Sequence, residues 1–289
     1  MISVLSAPFV TLWQGKDIFA EVKKIDGKVY RSLEGRRTLR FEHEGRGYFL
    51  KYHAGVGWRE IVKNLSQGRI AVLGAENEYR AVKKLQQLGV GTMNVVAFGS
   101  RGLNPAKRES FIITEAVEPS VSLEDLAEQW LLQAPTASIK HTFIRRVATM
   151  AGKMHAGGVN HRDFYICHFL LSDNGDLALI DLHRSLIHKK VPARWLLKDL
   201  AGLYFSAYRV KLTRRDKLRF IQAYSRAFNQ TELRTALSSG LSSHTASRTT
   251  PDSTSIVSST LWDKVEKKSQ ALYLRGLKKG YLKTSERAV

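Results

Sequence analysis

The stretch that decides the fold reads His161-Arg162-Asp163-Phe164-Tyr165-Ile166-Cys167-His168, and Ile180-Asp181-Leu182 follows it. His-Arg-Asp alone is weak evidence, because a tripeptide recurs by chance in roughly one chain of this length in a few tens. The separation of eighteen residues between Asp163 and Asp181 is more specific. Two carboxylates in such loops can do two different jobs, since one can take a proton and the other can bind a cation.

An alternating run precedes this stretch and indicates a small sheet. From Lys28 to Tyr52, apolar and polar residues alternate, with turns at Gly35 and at Gly45–Gly47, which predicts a three-strand meander. Lys51 lies on the third strand. Protein kinases carry a phosphate-binding Lys on their third strand and two Asp residues at the separation seen here, so the sequence resembles a kinase fold.

A helix is predicted from Glu76 to Leu88, which ends at Gly89. Its apolar residues recur at helical spacing, at Tyr79, Val82, Leu85 and Leu88. Two acidic residues near its start could hold Lys51. We favour Glu78 over Glu76, because Glu78 lies next to the apolar stripe.

Two further strands are predicted at Asn94–Gly99 and Ser110–Val117. In a kinase fold the end of the second strand is the hinge that binds adenine through its backbone, which makes Glu115 and Val117 candidate nucleotide-binding residues. Gly35 is a further candidate, as the only glycine of the first turn. There is no Gly-x-Gly-x-x-Gly loop.

The second part of the chain reads as mainly helical. A capping box at Ser122 starts one helix, and Ile139–Ala156 forms a long one that leads to His161. The expected fold class is therefore α+β, a bilobal protein-kinase-like domain. A β-rich N-lobe spans residues 1–117, and a helical C-lobe spans 118–289, with ATP in the cleft. The C-lobe contains a Ser/Thr-rich loop at about 236–260 and a basic helix at about 261–283.

The chemistry assigns a role to each polar residue of the opening stretch. Asp163 is the candidate catalytic residue, because a hydroxyl that attacks a γ-phosphate must lose its proton. Asp181 is the candidate magnesium ligand, since magnesium prefers hard oxygen ligands. His168 stands where protein kinases carry Asn, and it could bind a metal, contact a phosphate or orient Asp163. His183 replaces the Gly of Asp-Phe-Gly, which predicts a site without the flexible switch of regulated kinases.

The composition narrows the kind of partner. The 289 residues include 46 Lys and Arg against 26 Asp and Glu, a formal net charge of +20, which predicts an anionic partner such as nucleic acid, a phosphorylated glycan or acidic lipid. Cys167 is the single cysteine, so no internal disulfide can form. No run of about 18 apolar residues is present, and residues 1–15 lack an export-signal pattern. We expect a soluble protein of a reducing compartment.

The chain resembles the lipopolysaccharide core heptose kinases of the Kdo/WaaP lipopolysaccharide kinase family. The segments that carry this similarity are Val159–Leu171, Ile180–Arg184, Tyr30–Arg40, Gly55–Ile61, Lys198–Ser206 and Leu212–Phe220. It extends from about Pro8 to Tyr224. The His in place of the kinase Asn, here His168, is a trait of that family and separates it from protein kinases.

The resemblance implies ATP-dependent phosphorylation of the first inner-core heptose at its 4-hydroxyl, with ATP and Mg²⁺ as cofactors. It implies peripheral attachment to the cytoplasmic face of the inner membrane of a Gram-negative bacterium. The lipid-anchored acceptor carries carboxylates and phosphates, so a basic surface would raise its local concentration. Acyl carrier protein is a further implied partner. Asp199 resembles the buried Asp that steadies the catalytic loop of kinase folds.

Other functions stay open at this point. One is a kinase for another core sugar such as Kdo, or an atypical protein kinase. The other is a basic, catalytically silent scaffold that binds lipopolysaccharide or nucleic acid. Intact Lys51, Asp163 and Asp181 argue against the scaffold. Nucleic acid is not expected, because no RNA-recognition motif is present and aromatic residues do not alternate with Arg.

Overall fold

The computed structural model of the chain describes residues 2–33, 35–66, 74–238 and 259–279, which form eleven strands and nine α-helices. The strands are β1 Ile2–Leu5, β2 Lys28–Leu33, β3 Arg36–His43, β4 Arg46–His53, β5 Val95–Arg101, β6 Glu109–Glu115, β7 Ser120–Ser122, β8 Val159–Asn160, β9 Phe169–Ser172, β10 Leu177–Leu179 and β11 Leu186–Ile187. The helices are α1 Phe9–Leu12, α2 Ile18–Lys24, α3 Gly57–Ser66, α4 Glu76–Gln87, α5 Leu123–Leu132, α6 Ala137–Ala156, α7 Ala193–Ser206, α8 Arg214–Ser238 and α9 Ser259–Lys278.

The chain packs as two compact units that interleave along the sequence. Unit 1 comprises Met1–Lys83, Thr92–Glu118 and Asp181–Arg184, and unit 2 comprises Lys84–Gly91, Pro119–Ile180 and Ser185–Val289. The short return of the chain to unit 1 at Asp181–Arg184 brings one of the two candidate carboxylates into that unit.

Unit 1 contains a six-stranded sheet in the order β1-β5-β6-β4-β3-β2. The predicted meander is present as β2, β3 and β4, which pair antiparallel in sequence order. Its second turn is a two-residue loop in which Glu44 and Gly45 have φ angles of 50° and 73°. Positive φ at both positions is typical of hairpin turns that match strand twist.

The hydrophobic core of unit 1 covers one face of this sheet. Phe9, Trp13 and Phe19 come from the segments of α1 and α2 and are buried. They pack in one cluster with Tyr48 and Leu50 of β4. Since successive strand residues point to opposite faces, this core assigns Lys51 to the other face of β4.

In unit 2, the paired helices α6 and α8 approach closely. A Cβ on Gly152 of α6 would lie 2.6 Å from the carbonyl oxygen of Tyr224. The long helix predicted from Ile139 is present and begins slightly earlier, because Thr136 caps it by accepting the N–H of Ile139. Ser122 caps α5 in the same way, as predicted, and accepts the N–H of Asp125.

The basic helix predicted near the C-terminus is present as α9. It packs against α7, with Trp262 and Val265 buried and with the Trp262 ring close to that of Tyr224. Of the predicted Ser/Thr-rich loop, Ala236–Ser238 instead continue α8, and residues 239–258 lie outside the described residues. None of the described helices is both long enough and apolar enough to span a bilayer.

Candidate active site

Lys51 is the centre of a charged cluster in unit 1. Its Nζ lies 2.8 Å from Glu78 Oε1 and 2.9 Å from Asp181 Oδ1. Glu78 is buried, at 1% exposure. The contact predicted between Lys51 and Glu78 is therefore present. The rejected candidate, Glu76, is paired instead with Arg80 one helical turn away.

The electrostatics of this cluster keep Lys51 and Asp181 charged. Burial lowers the pKa of Lys51, but the carboxylates of Glu78 and Asp181 outweigh it and raise this pKa above its usual value. For Asp181, burial raises the pKa, but a hydrogen bond from His183 and the charge of Lys51 outweigh burial and bring this pKa well below the usual range. An ammonium group between two carboxylates is a preformed binding group for phosphate.

Asp181 is held in a specific conformation. His183 Nδ1 lies 2.8 Å from Asp181 Oδ1 and donates to it, because an ionised carboxylate only accepts. The backbone of Asp181 has a φ angle of 61°, in the left-handed region that non-glycine residues rarely adopt. Such strain persists at sites where the surroundings enforce it. His183, which we singled out only as a departure from a kinase motif, thus positions the predicted magnesium ligand.

His53 is a member of the cluster that the sequence did not single out. It lies two residues after Lys51 on β4 and is buried, and its Nδ1 has no hydrogen-bond partner among the described residues. Burial, followed by the charges of Arg36, Lys51 and His183, lowers the pKa of His53 to about 4. The alternation of β4 was the available signal, since it assigns His53 and Lys51 to the same face.

The residues predicted to bind adenine, Glu115 and Val117, lie at and just beyond the end of strand β6. Strand β6 ends at Glu115 rather than at Val117, so the predicted strand was two residues too long. The Glu115 N–H donates to the Asn94 carbonyl at 2.9 Å, so this N–H is used within the protein, and adenine binding by Glu115 stays a prediction. For Val117, adenine binding stays a prediction.

Gly35 has a structural reason to be glycine. Its φ angle is 73°, and a Cβ would lie 2.7 Å from the carbonyl oxygen of Gly55. Its own carbonyl accepts the Ala54 N–H at 2.8 Å. Close packing of the turn accounts for this glycine, and its proposed contact with nucleotide stays a prediction.

The loop that carries Asp163 lies in unit 2 and is anchored by a buried carboxylate. The backbone N–H groups of His161 and Arg162 donate to Asp199 at 2.6 and 2.9 Å, and Asp199 is 1% exposed. His161 Nε2 also lies 3.0 Å from the Ile180 carbonyl oxygen. The role that the resemblance implies for Asp199, to steady this loop, agrees with these contacts.

His168 contacts the main chain of the residue that it was predicted to orient. Its Nδ1 lies 2.8 Å from the carbonyl oxygen of Asp163. A carbonyl only accepts, so Nδ1 carries the proton, and a neutral ring then has its lone pair on Nε2. Of the three roles left open, this contact favours orientation of the Asp163 loop. Metal or phosphate binding through Nε2 stays a prediction.

The donor atoms fit a magnesium ion that is shared with phosphates. In the ranges that the structure describes, no three His, Cys, Asp or Glu side chains converge in a way that could hold a metal by themselves. Magnesium in kinase sites is held by one or two carboxylates together with substrate phosphates, and Asp181 beside Lys51 provides such a carboxylate.

Comparison with known proteins agrees with this geometry. The family described as lipopolysaccharide kinase (Kdo/WaaP) matches residues 20–224. The chain is 52% identical over 227 residues to lipopolysaccharide core heptose(I) kinase WaaP of Escherichia coli K12. The matched region covers 76% of this chain and 86% of that relative. For the enzyme of the same name from Pseudomonas aeruginosa, the identity is 51% over 230 residues, with 77% and 86% covered.

A solved structure described as WaaP in complex with acyl carrier protein superimposes with a TM-score of 0.73. It is 42% identical and covers 94% of this chain and 100% of its own. The predicted protein-kinase-like fold, with an antiparallel sheet followed by a helical region, is confirmed. The chain belongs to the lipopolysaccharide kinase (Kdo/WaaP) family.

Proposed function

We propose that this chain transfers the γ-phosphate of ATP to the first heptose of the lipopolysaccharide inner core. The observation that carries the proposal is the Lys51–Glu78–Asp181 cluster in a chain that shares 52% and 51% identity with two heptose(I) kinases. A catalytically silent scaffold is disfavoured, because a buried Lys held between two carboxylates is the group that kinases use to bind phosphates.

Each residue then has a chemical task. Lys51, steadied by Glu78, binds the α- and β-phosphates. The acceptor oxygen attacks the γ-phosphorus and its proton passes to the carboxylate of Asp163, while the bond to the β–γ bridging oxygen breaks and ADP leaves. His168 and Asp199 hold the backbone of the Asp163 loop. Magnesium held by Asp181 would supply positive charge that neutralises the phosphates.

The acceptor atom that we propose is the 4-hydroxyl of the heptose. A test offers labelled ATP with magnesium, an unphosphorylated heptose-containing core and a protein substrate. We expect label on the heptose and none on an acceptor that lacks the 4-hydroxyl. Label on the protein alone would identify an atypical protein kinase and contradict the proposal, and label on the 4-deoxy acceptor would contradict the position.

The role of Asp163 is tested in the same assay with Asp163→Ala. Removal of a general base slows transfer by about 100- to 10,000-fold. The matched control is Asp173→Ala, because Asp173 is an exposed carboxylate of unit 2, and it should retain wild-type transfer. Equal rates for the two variants would remove Asp163 from the mechanism.

We further propose a peripheral location on the cytoplasmic face of the inner membrane, where ATP and a lipid-anchored acceptor meet, and acyl carrier protein as a partner. The description of the similar solved structure supports the partner. Helix α9 presents exposed Lys264, Lys267 and Lys268, which complement an acidic protein. Co-elution with acyl carrier protein should be lost in Lys267→Glu/Lys268→Glu, and retained co-elution would exclude α9 as the contact.

A further inference from the structure

A groove on unit 2 carries a concentration of positive charge that the proposed transfer reaction does not use. It lies between α6 and α8, encloses about 500 Å³ and is lined by His141 and Arg145 of α6 and by Arg219, Gln222 and Arg226 of α8. Residues three, four or seven positions apart lie on one face of a helix, so each helix directs its polar residues into the same space. We call this feature the α6–α8 groove.

The charge of the α6–α8 groove is only partly neutralised within the protein. Asp216 is the carboxylate in ion-pair contact with it, at 3.3 Å from Arg219 Nη1 and 3.5 Å from His141 Nε2. Asp216 also accepts from Lys140 Nζ at 2.9 Å. Neither Arg145 nor Arg226 has a carboxylate partner among the described residues. The groove therefore holds three guanidinium groups, and the carboxylate that contacts one of them, Asp216, is shared with Lys140.

The walls of the groove are rigid enough to keep these charges together. Helices α6 and α8 are in close contact at Gly152 and Tyr224, and His155 Nδ1 lies 2.9 Å from the Tyr224 hydroxyl in the buried interface. Like charges on fixed elements repel each other unless an anion lies between them. A preorganised site loses little conformational entropy when it binds.

The side chains also indicate which anion fits. A guanidinium group presents its N–H donors as a planar fork that matches the oxygens of phosphate. We propose that the α6–α8 groove binds a phosphate-bearing group, either the headgroup of an anionic phospholipid or a soluble phosphate ester. This proposal is independent of the proposed kinase function, because none of the groove residues belongs to the Lys51 cluster or to the Asp163 loop.

The test compares two variants that lose the same charge. Arg145→Gln/Arg226→Gln alters the groove, and Arg234→Gln/Lys189→Gln alters exposed basic residues of unit 2 outside it. The probes are inorganic pyrophosphate and phosphatidylcholine vesicles with and without phosphatidylglycerol. We expect the groove variant to lose about tenfold or more in affinity for at least one anionic probe. Binding of a probe outside the α6–α8 groove occurs in both variants, so it does not contribute to the difference between their affinities.

The outcomes separate the two sources of phosphate. A loss confined to phosphatidylglycerol vesicles identifies a lipid headgroup, and a loss confined to pyrophosphate identifies a soluble ligand. Equal affinities of the two variants for both probes would overturn the proposal. Arg145 and Arg226 are exposed, so both proteins should unfold at the same urea concentration, and the single variant Arg226→Gln provides a second measurement with a smaller perturbation.

Discussion

In unit 1, Lys51 is held by the carboxylates of Glu78 and Asp181, whereas in unit 2 the Asp163 loop is held by backbone N–H groups that donate to Asp199. Charged side chains can exchange partners when a phosphate arrives, because the attraction depends on charge and distance. Backbone donors on a buried carboxylate cannot leave it without exposing unsatisfied groups. The comparison teaches that ligand binding can rearrange the side-chain contacts of Lys51, whereas folding alone determines the backbone contacts of Asp199.

Among the residues of this comparison, the largest effect on phosphate transfer is expected for Lys51→Met. Loss of the group that binds the phosphates should slow transfer by about 100- to 1,000-fold. The change also leaves the buried Glu78 carboxylate without its ammonium partner, which lowers the free energy of unfolding by about 3 kcal/mol. Steady-state kinetics at varied ATP concentration measures the loss of transfer, and urea unfolding measures the loss of stability.

The double variant Lys51→Met/Glu78→Gln separates binding from folding in unit 1. It should regain most of the lost stability, because the uncompensated charge is removed, and regain none of the activity. If the double variant is as unstable as Lys51→Met, the cluster contributes to the fold through more than charge, and the contrast between the units fails.

For unit 2 we expect Asp199→Ala to lower the free energy of unfolding by about 4 kcal/mol, since two buried N–H groups lose their acceptor at about 1–3 kcal/mol each. Urea unfolding measures this. Asp176→Ala removes an exposed carboxylate of the same unit and should change stability by less than about 0.5 kcal/mol. Similar values for the two variants would show that Asp199 does not hold the loop.

The smallest expected effect is the pH dependence of stability that comes from His53, the neutral residue beside Lys51 in unit 1. The pKa of His53 is about 4 in the folded protein, against an ordinary value of 6.5, so the unfolded chain binds the extra proton first as the pH falls. The contribution of neutral His53 to the free energy of unfolding is therefore fully present above pH 6.5. It is lost as the pH falls toward 4, by about 1.4 kcal/mol per pH unit at most. Urea unfolding at pH 6.5 and pH 5 should show this loss in wild type and a shallower one in His53→Leu. An unchanged pH dependence in the variant would assign the loss to other groups.

Local patterns in the sequence predicted much of the fold. The alternation from Lys28 to Tyr52 defined the meander, and the position of Glu78 beside the apolar stripe of its helix distinguished it from Glu76. These features depend on neighbours within a few residues, so periodicity reveals them. The same periodicity did not fix strand ends, and the predicted extension of β6 to Val117 was therefore wrong.

Contacts between distant parts of the chain were beyond the local patterns. Lys51 and Asp181 are 130 positions apart. Only the resemblance to kinases predicted that both belong to a phosphate site, through the place of Lys51 on the third strand and the spacing between Asp163 and Asp181. The contacts of His53 and His183 had no such precedent. The alternation of β4 indicates only the face that His53 shares with Lys51, and the local sequence shows neither the burial of His53 nor the contact of His183 with Asp181.

The left-handed backbone of Asp181 has a consequence for how this site should be probed. An L-amino acid with a Cβ pays about 1–2 kcal/mol to adopt that conformation, and asparagine tolerates it better than most residues do. In an alanine scan, Asp181→Ala would therefore report the loss of a carboxylate and a change in backbone preference as a single number. Asp181→Asn retains the shape and the backbone preference of the natural residue. The loss of activity that it causes therefore reports the missing carboxylate charge and not the cost of a left-handed backbone.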